Sequence, residues 1–149
     1  MIRRADLADL DAIRAIFRAA SLSNEGDRAA LLAHPEVLEF PEDAVVDGRI
    51  RVAVDDDGTV VGFAGITPYA DAWELDDLFV APVHMRRGFA TALVRQLLAE
   101  ADVTAIEVTA NPHAMAFYRS VGFVENGVEQ TRFGPAPRMR LNVAGAAAP

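Results

Sequence analysis

The order of signals between residues 72 and 123 constrains the fold of this chain most. An extended run, Trp73 to Val80, passes through a turn containing Gly88 into a helical pattern from Gly88 to Ala101, with Leu93, Val94, Leu97 and Leu98 on one face. A second extended run, Thr104 to Ala110, leads at once into a second helix, Asn111 to Val121. Asn111 suits its N-cap, Pro112 its first position and Gly122 its stop. Strand, helix, strand and helix in succession require a sheet that is at least partly parallel.

The segments before this block are of a different kind. Ile2 to Ala5 reads as a short strand, and Asp6 as the cap of an amphipathic helix carrying Leu7, Leu10, Ile13, Phe17 and Ala20. A shorter helix is expected over Glu25 to Ala33, broken at His34-Pro35, with irregular chain from Glu36 to Gly48. Arg51 to Val54 and Thr59 to Thr67 flank Asp55-Asp56-Asp57-Gly58 and form a hairpin; Pro68 to Asp71 connects it to the next strand. Phe123 resumes extended chain, and Arg138 to Val143 makes a last strand after Gly134-Pro135-Ala136-Pro137. Together these give an α/β (α+β) fold with hairpins and a strand–helix–strand block. Residues 1–143 are expected to form one domain, and 144–149, rich in Ala, Gly and Pro, a flexible tail.

Composition removes several functions. The chain has 149 residues and no cysteine, so disulfides, thiolate metal sites and a cysteine nucleophile are excluded. Its basic residues are all Arg, so no lysine can serve as a base. A net charge of −8 opposes binding to phosphate backbones and argues against a nucleic-acid partner. No stretch approaches the ~20 apolar residues of a membrane span, and the N-terminal residues do not read as a secretory signal. A cytoplasmic protein with no membrane association is expected. The three histidines lack metal-ligand spacing, and no Ser–His–Asp set is apparent, so no metal is expected.

Two segments carry chemistry. In Met85-Arg86-Arg87-Gly88-Phe89-Ala90-Thr91 a loop enters a helix start, where free backbone amides and the positive end of the helix dipole favour a phosphate. Gly88 permits close approach, Ala90 is small, and Arg86 and Arg87 add charge. A basic turn without a ligand explains this segment equally well. It is neither a P-loop nor a dinucleotide fingerprint, since it lacks Gly-Lys-Ser/Thr and two of three glycines. The second segment is Asn111-Pro112-His113-Ala114-Met115-Ala116-Phe117-Tyr118-Arg119-Ser120-Val121-Gly122-Phe123.

In this order the two segments resemble the GNAT acetyltransferases. The first matches the family's Gln/Arg-x-x-Gly-x-Gly/Ala loop except at Met85; the second matches Asn-x-x-Ala-x-x-Phe-Tyr-x-x-x-Gly-Phe throughout. The resemblance covers residues 72 to 123. It implies a GNAT fold: a central mixed, mostly antiparallel sheet of about six to seven strands, splayed between the fourth and fifth, flanked by about four helices. It further implies acetyl-CoA as cosubstrate, an amine acceptor and a homodimer.

By the same resemblance, Met85 to Thr91 would hold the CoA pyrophosphate. The backbone of Leu78, Phe79 and Val80 would pair with the pantetheine arm, the Val80 amide would polarise the thioester carbonyl, and Asn111 would contact that arm or the strand beside it. Tyr118 would protonate the leaving sulfur; a phenol, with a reference pKa of about 10, carries its proton at neutral pH. Core packing with a polar tip is the alternative for this residue. In the histone-acetyltransferase branch of the family a catalytic Glu lies 14 residues before the loop glycine, and Glu74 stands in that relation to Gly88. Glu74 is the leading base, acting directly or through a water, with Asp76 and Asp77 as rivals. Unbroken alternation puts Glu74 and Asp76 on one face and Asp77 on the other; a bulge, which the resemblance implies in this strand, would reset it. These acids also suit a cationic acceptor such as a polyamine, an aminoglycoside or a peptide amine; Trp73 and Tyr69 are candidates to line its pocket, with core or rim packing as the alternative, and the rigid segment Phe133 to Arg138 is a candidate to shape it. A non-catalytic acyl-CoA sensor or interaction module on the same fold is the rival reading.

Overall fold

The computed structural model describes residues 1–143. The strands are β1 (Ile2–Arg4), β2 (Ile50–Val54), β3 (Val60–Tyr69), β4 (Ala72–Val80), β5 (Ala105–Thr109), β6 (Val124–Thr131) and β7 (Gly134–Asn142). They follow the order β1-β2-β3-β4-β5-β7-β6 in a seven-stranded sheet. The helices are α1 (Leu10–Leu22), α2 (Glu25–Ala33), α3 (Asp43–Val46), α4 (Phe89–Glu100) and α5 (Met115–Ser120). The pairs β1–β2, β2–β3, β5–β7 and β6–β7 are antiparallel, whereas β4–β5 is parallel. The parallel ladder runs from Ala72↔Ala105 to Glu74↔Glu107. It ends there while β4 continues to Val80, which is the splay between the fourth and fifth strands that the resemblance implied.

The described residues fall into two compact units, one comprising Met1–Gly65 and Asp77–Leu93, the other Ile66–Asp76 and residues 94–143. The first unit is built on aromatic packing. Ile13 and Ile16 of α1 are buried with Val52, Val54 and Phe63, and Phe17 and Phe79 pack against that cluster. Phe79 meets Phe17 edge-on at 5.1 Å and Phe63 at 5.6 Å, separations at which aromatic pairs attract beyond their buried area. Asp6 caps the first turn reciprocally with Asp9: its side chain accepts from the Ala8 amide and Asp9 accepts from the Asp6 amide. Arg3 grips both Asp9 oxygens at 2.8 and 2.9 Å. This hydrogen bond lowers the Asp9 pKa against the opposing effect of burial. In the second unit, Ile106, Val108, Phe123 and Met139 are buried together with Val94 and Leu97 of α4.

Several expectations are corrected in detail. The segment expected to be irregular holds a 3-10 turn at Pro35–Leu38 and the four-residue α3, too short for a periodic signal. β3 runs through Pro68 to Tyr69, and the turn is confined to Ala70-Asp71, with Ala70 at φ 53°. The Asn111–Val121 helix is a 3-10 turn, Pro112–Ala114, followed by α5. Gly134 to Pro137 lies inside β7, paired with β6 from Thr131↔Gly134 to Val128↔Pro137. The β5 ladder reaches only Arg138, so the two prolines occupy a stretch with one strand neighbour, where a missing amide is tolerated. The expected tail, 144–149, lies outside the described residues.

Candidate active site

The glycine turn follows β4 through a 3-10 turn at Pro82–His84. Met85, Arg86, Arg87 and Gly88 are all exposed. Arg86 (φ 66°) and Gly88 (φ 85°) are both left-handed. A non-glycine residue at positive φ is uncommon, so this loop holds an unusual shape. Left-handed residues within a turn can aim successive amides at one point, the arrangement of anion-binding nests. The first intrahelical bond of α4 runs from the Ala92 amide to the Gly88 carbonyl at 3.0 Å. The amides of Phe89, Ala90 and Thr91 precede it and have no partner within the helix. A Cβ on Gly88 would meet no heavy atom within 4 Å, so the ground above the turn is open. Such a turn fits a diphosphate. Phe89 is anchored by an edge contact with the His84 ring at 6.4 Å.

Leu78 and Phe79 are half-buried and Val80 is buried, with the Phe79 ring committed to the aromatic cluster. The backbone here lies close to β3. A Cβ on Gly62 would come within 2.9 Å of the Phe79 carbonyl oxygen, so only glycine admits this approach.

A cavity of about 860 Å³ is found in the second unit, lined in part by Thr67, Tyr69, Ala72, Glu74 and Asp76. Residues 72, 74 and 76 all face it, as unbroken strand alternation demands. Glu107, Glu129 and Arg138 face it too. Arg138 Nη1 donates to Glu74 Oε2 at 2.6 Å and to Thr109 Oγ1 at 2.9 Å, while Nη2 donates to Glu107 Oε2 at 2.9 Å. Arg140 Nη1 donates to Glu107 Oε1 at 2.6 Å. The hydrogen bond to Glu74 raises the Arg138 pKa further above its ordinary value, against the effect of burial. The Thr67 hydroxyl donates to Asp76, and the Thr109 hydroxyl to Glu129. Asp77 lies instead beside Gly65.

Tyr118 is 7% exposed. Its ring packs edge-on against Phe117 and Phe123 at 5.4 and 5.2 Å, and its carbonyl accepts from the Phe123 amide. The Asn111 side chain accepts from the His113 amide at 2.9 Å and so caps the turn before α5. Glu107, Glu129 and Arg140 were not singled out from the sequence, and as a site candidate Arg138 entered only at the end of the rigid segment 133–138 expected to shape the acceptor pocket. Their available signal was alternation: Glu107 and Thr109 interleave with buried Ile106 and Val108, and Arg138 and Arg140 with buried Met139 and Leu141. Among the described residues no group of three or more His, Asp or Glu is placed to hold a metal ion. No helix there is long and apolar enough to cross a membrane.

A mixed sheet splayed at its parallel pair, with a glycine turn opening the helix after its fourth strand, is the fold that the resemblance implied. The Acetyltransferase (GNAT) family profile matches residues 11–123, and the chain belongs to that family. The N-alpha-acetyltransferase RimI of Mycobacterium tuberculosis is 41% identical over 81 residues, 49% of this chain and 51% of that protein. The chain thus spans about half the length of this relative. Among solved structures, the histone acetyltransferase HPA2 and related acetyltransferase from Corynebacterium glutamicum superposes with a TM-score of 0.74 at 22% identity, covering 99% of this chain and 98% of that one. The PaiA N-acetyltransferase of Thermoplasma acidophilum, in complex with coenzyme A, gives 0.73 at 18% identity over 95% and 98%. These two likenesses concern the fold.

Proposed function

We propose that this chain transfers the acetyl group of acetyl-CoA to a primary amine by direct attack in a ternary complex, with residues 1–143 as the catalytic domain. The observation that carries the reading is the exposed turn at 85–88, with two left-handed residues feeding α4, in a chain of the acetyltransferase family. Its amides, with Arg86 and Arg87 beside them, are assigned the CoA pyrophosphate. That local field opposes the chain's overall charge of −8. The backbone of Leu78, Phe79 and Val80 is assigned the pantetheine arm, and the Val80 amide the thioester carbonyl. Donors aimed in this way are worth about 3 kcal/mol in comparable oxyanion sites. Asn111 supports the arm's end by fixing the turn before α5.

An ammonium must lose a proton before it attacks. Glu74 is assigned that proton, directly or through a water; Asp76, on the same cavity, is the nearer rival and Asp77 the more remote. Tyr118 donates its proton to the departing sulfur, and the tight packing of its ring fixes the direction of its hydroxyl. Four carboxylates facing one guanidinium across the cavity favour a positively charged acceptor: a polyamine, an aminoglycoside or a peptide amine. The likeness to an N-alpha-acetyltransferase favours the peptide amine among these. A cytoplasmic homodimer completes the reading.

The test is an acetyl-CoA-dependent thiol-release screen across amine classes, run beside calorimetric titration with CoA. Release with a cationic amine supports transfer. CoA binding without turnover on any amine moves the reading to a non-catalytic acyl-CoA sensor. Absence of CoA binding overturns both.

A further inference from the structure

The parallel ladder sets Glu74 of β4 directly beside Glu107 of β5. Like charges at opposed positions on neighbouring strands repel. Two carboxylates that share a site disfavour each other's charged form, and a counter-charge offsets this. β7 supplies one. Its register pairs Arg140 with Glu107 and Arg138 with Thr109, and residues two apart on a strand share a face. The Arg138 fork therefore reaches across β5 and bonds one oxygen of each glutamate, steadied by the Thr109 hydroxyl. Arg140 reaches only Glu107 among these carboxylates. The other ionisable groups facing the cavity are Asp76 on β4, Glu129 on β6 and the Tyr69 phenol on β3, none of which can replace the cation.

We propose that Arg138 is a positioning residue for the transfer reaction: by bridging Glu74 and Glu107 it offsets their mutual repulsion and aims the Glu74 carboxylate into the acceptor cavity. This rests on the reading of Glu74 as proton acceptor. A protonated carboxyl cannot accept the amine's proton, so removal of the Arg138 charge from beside the two glutamates should raise the lower pH limit of turnover. Lysine, a single point charge, cannot reproduce the two-pronged bridge.

The experiment compares wild type, Arg138→Met and Arg138→Lys, using the pH profile of kcat/KM, the thermal midpoint and a substrate-free ¹³C NMR titration of the glutamate carboxyls. Glu74→Gln and Glu107→Gln assign the signals. In Arg138→Met the acid limb of kcat/KM moves to higher pH by about one unit or more, with the carboxylate pair titrating upward in step. Arg138→Lys shows a smaller shift in the same direction, and supplies the test if the methionine variant does not fold. A purely structural role would lower the thermal midpoint and leave the acid limb in place; that result overturns the proposal. If wild type turns over no amine, the transfer reading fails on its own. The NMR titration then still judges the bridge, and a carboxylate pair that titrates identically with and without Arg138 overturns it.

Discussion

Replacing Gly88 with alanine separates the two tasks that a glycine in this turn performs. A Cβ at this position meets no heavy atom within 4 Å, so the substitution introduces no clash. What remains is the φ of 85°, which costs an L residue about 1–2 kcal/mol. Loss of glycine's freedom in the unfolded chain returns about 0.4–1 kcal/mol. The net loss is about 0–1.6 kcal/mol, at most about 3–6 °C in thermal midpoint for a chain of this size. The strain is relieved most cheaply if the turn leaves the left-handed region, which swings the amides of Gly88 and Phe89 away from a bound phosphate. One hydrogen bond to a charged group is worth about 1.5–3 kcal/mol. CoA affinity should therefore fall about 10- to 100-fold, far more than stability suggests. Calorimetric titration with CoA, beside thermal unfolding of the same preparation, reads both quantities. A folded Gly88→Ala protein that binds CoA within about threefold of wild type would refute the idea that these amides grip the pyrophosphate.

Three further outcomes follow from the geometry. Tyr118→Phe keeps the ring's edge contacts with Phe117 and Phe123, so its thermal midpoint should stay near that of wild type, while single-turnover acetyl transfer slows about 10²-fold or more; an unchanged rate removes Tyr118 as the acid. Gly62→Ala forces a methyl to within 2.9 Å of a backbone oxygen, so it should lose about 1–3 kcal/mol in urea unfolding, in contrast to Gly88→Ala. Asp9→Asn removes the Arg3 pair and should destabilise the protein at neutral pH. The Asp9 pKa is lowered in the folded state, so its contribution is full above the ordinary carboxylate range and fades as pH falls through the folded value. Unfolding curves of wild type and variant should therefore converge in acid, and a gap that persists there assigns the effect to packing.

The fold was legible wherever a signal was local. Asp55-Asp56-Asp57-Gly58 closes the β2–β3 hairpin because Asp55 Oδ1 accepts from the Asp57 and Thr59 amides and Gly58 takes a φ of 83°. Asn111, Pro112 and Gly122 act at the ends of the segment they were expected to bound, although its first turn is 3-10 and only Met115–Ser120 is α-helical. The misjudged boundaries lie where a partner strand overrides local preference. Pro68 and the Gly134–Pro137 run read as breaks, yet both are extended. In β7 the ladder with β6 holds the backbone straight and the prolines need no amide on the side beyond the end of β5.

The same distinction governs the candidate site. The phosphate turn and the Asn111–Phe123 segment are each contiguous, so residue order alone exposes them. The cavity is assembled from β3, β4, β5, β6 and β7, and its decisive pair, Arg138 with Glu74, is separated by 64 positions. Alternation could place Glu74, Glu107 and Arg138 on polar faces, but only the registers Glu74↔Glu107 and Thr109↔Arg138 bring those faces together. Two glutamates side by side on a parallel ladder repel, and here a cation from a third strand offsets that repulsion. That arrangement arises from the pairing of strands rather than from any one of them, and for that reason the neighbourhood of Arg138 could mark a polar face but not the two glutamates it bridges.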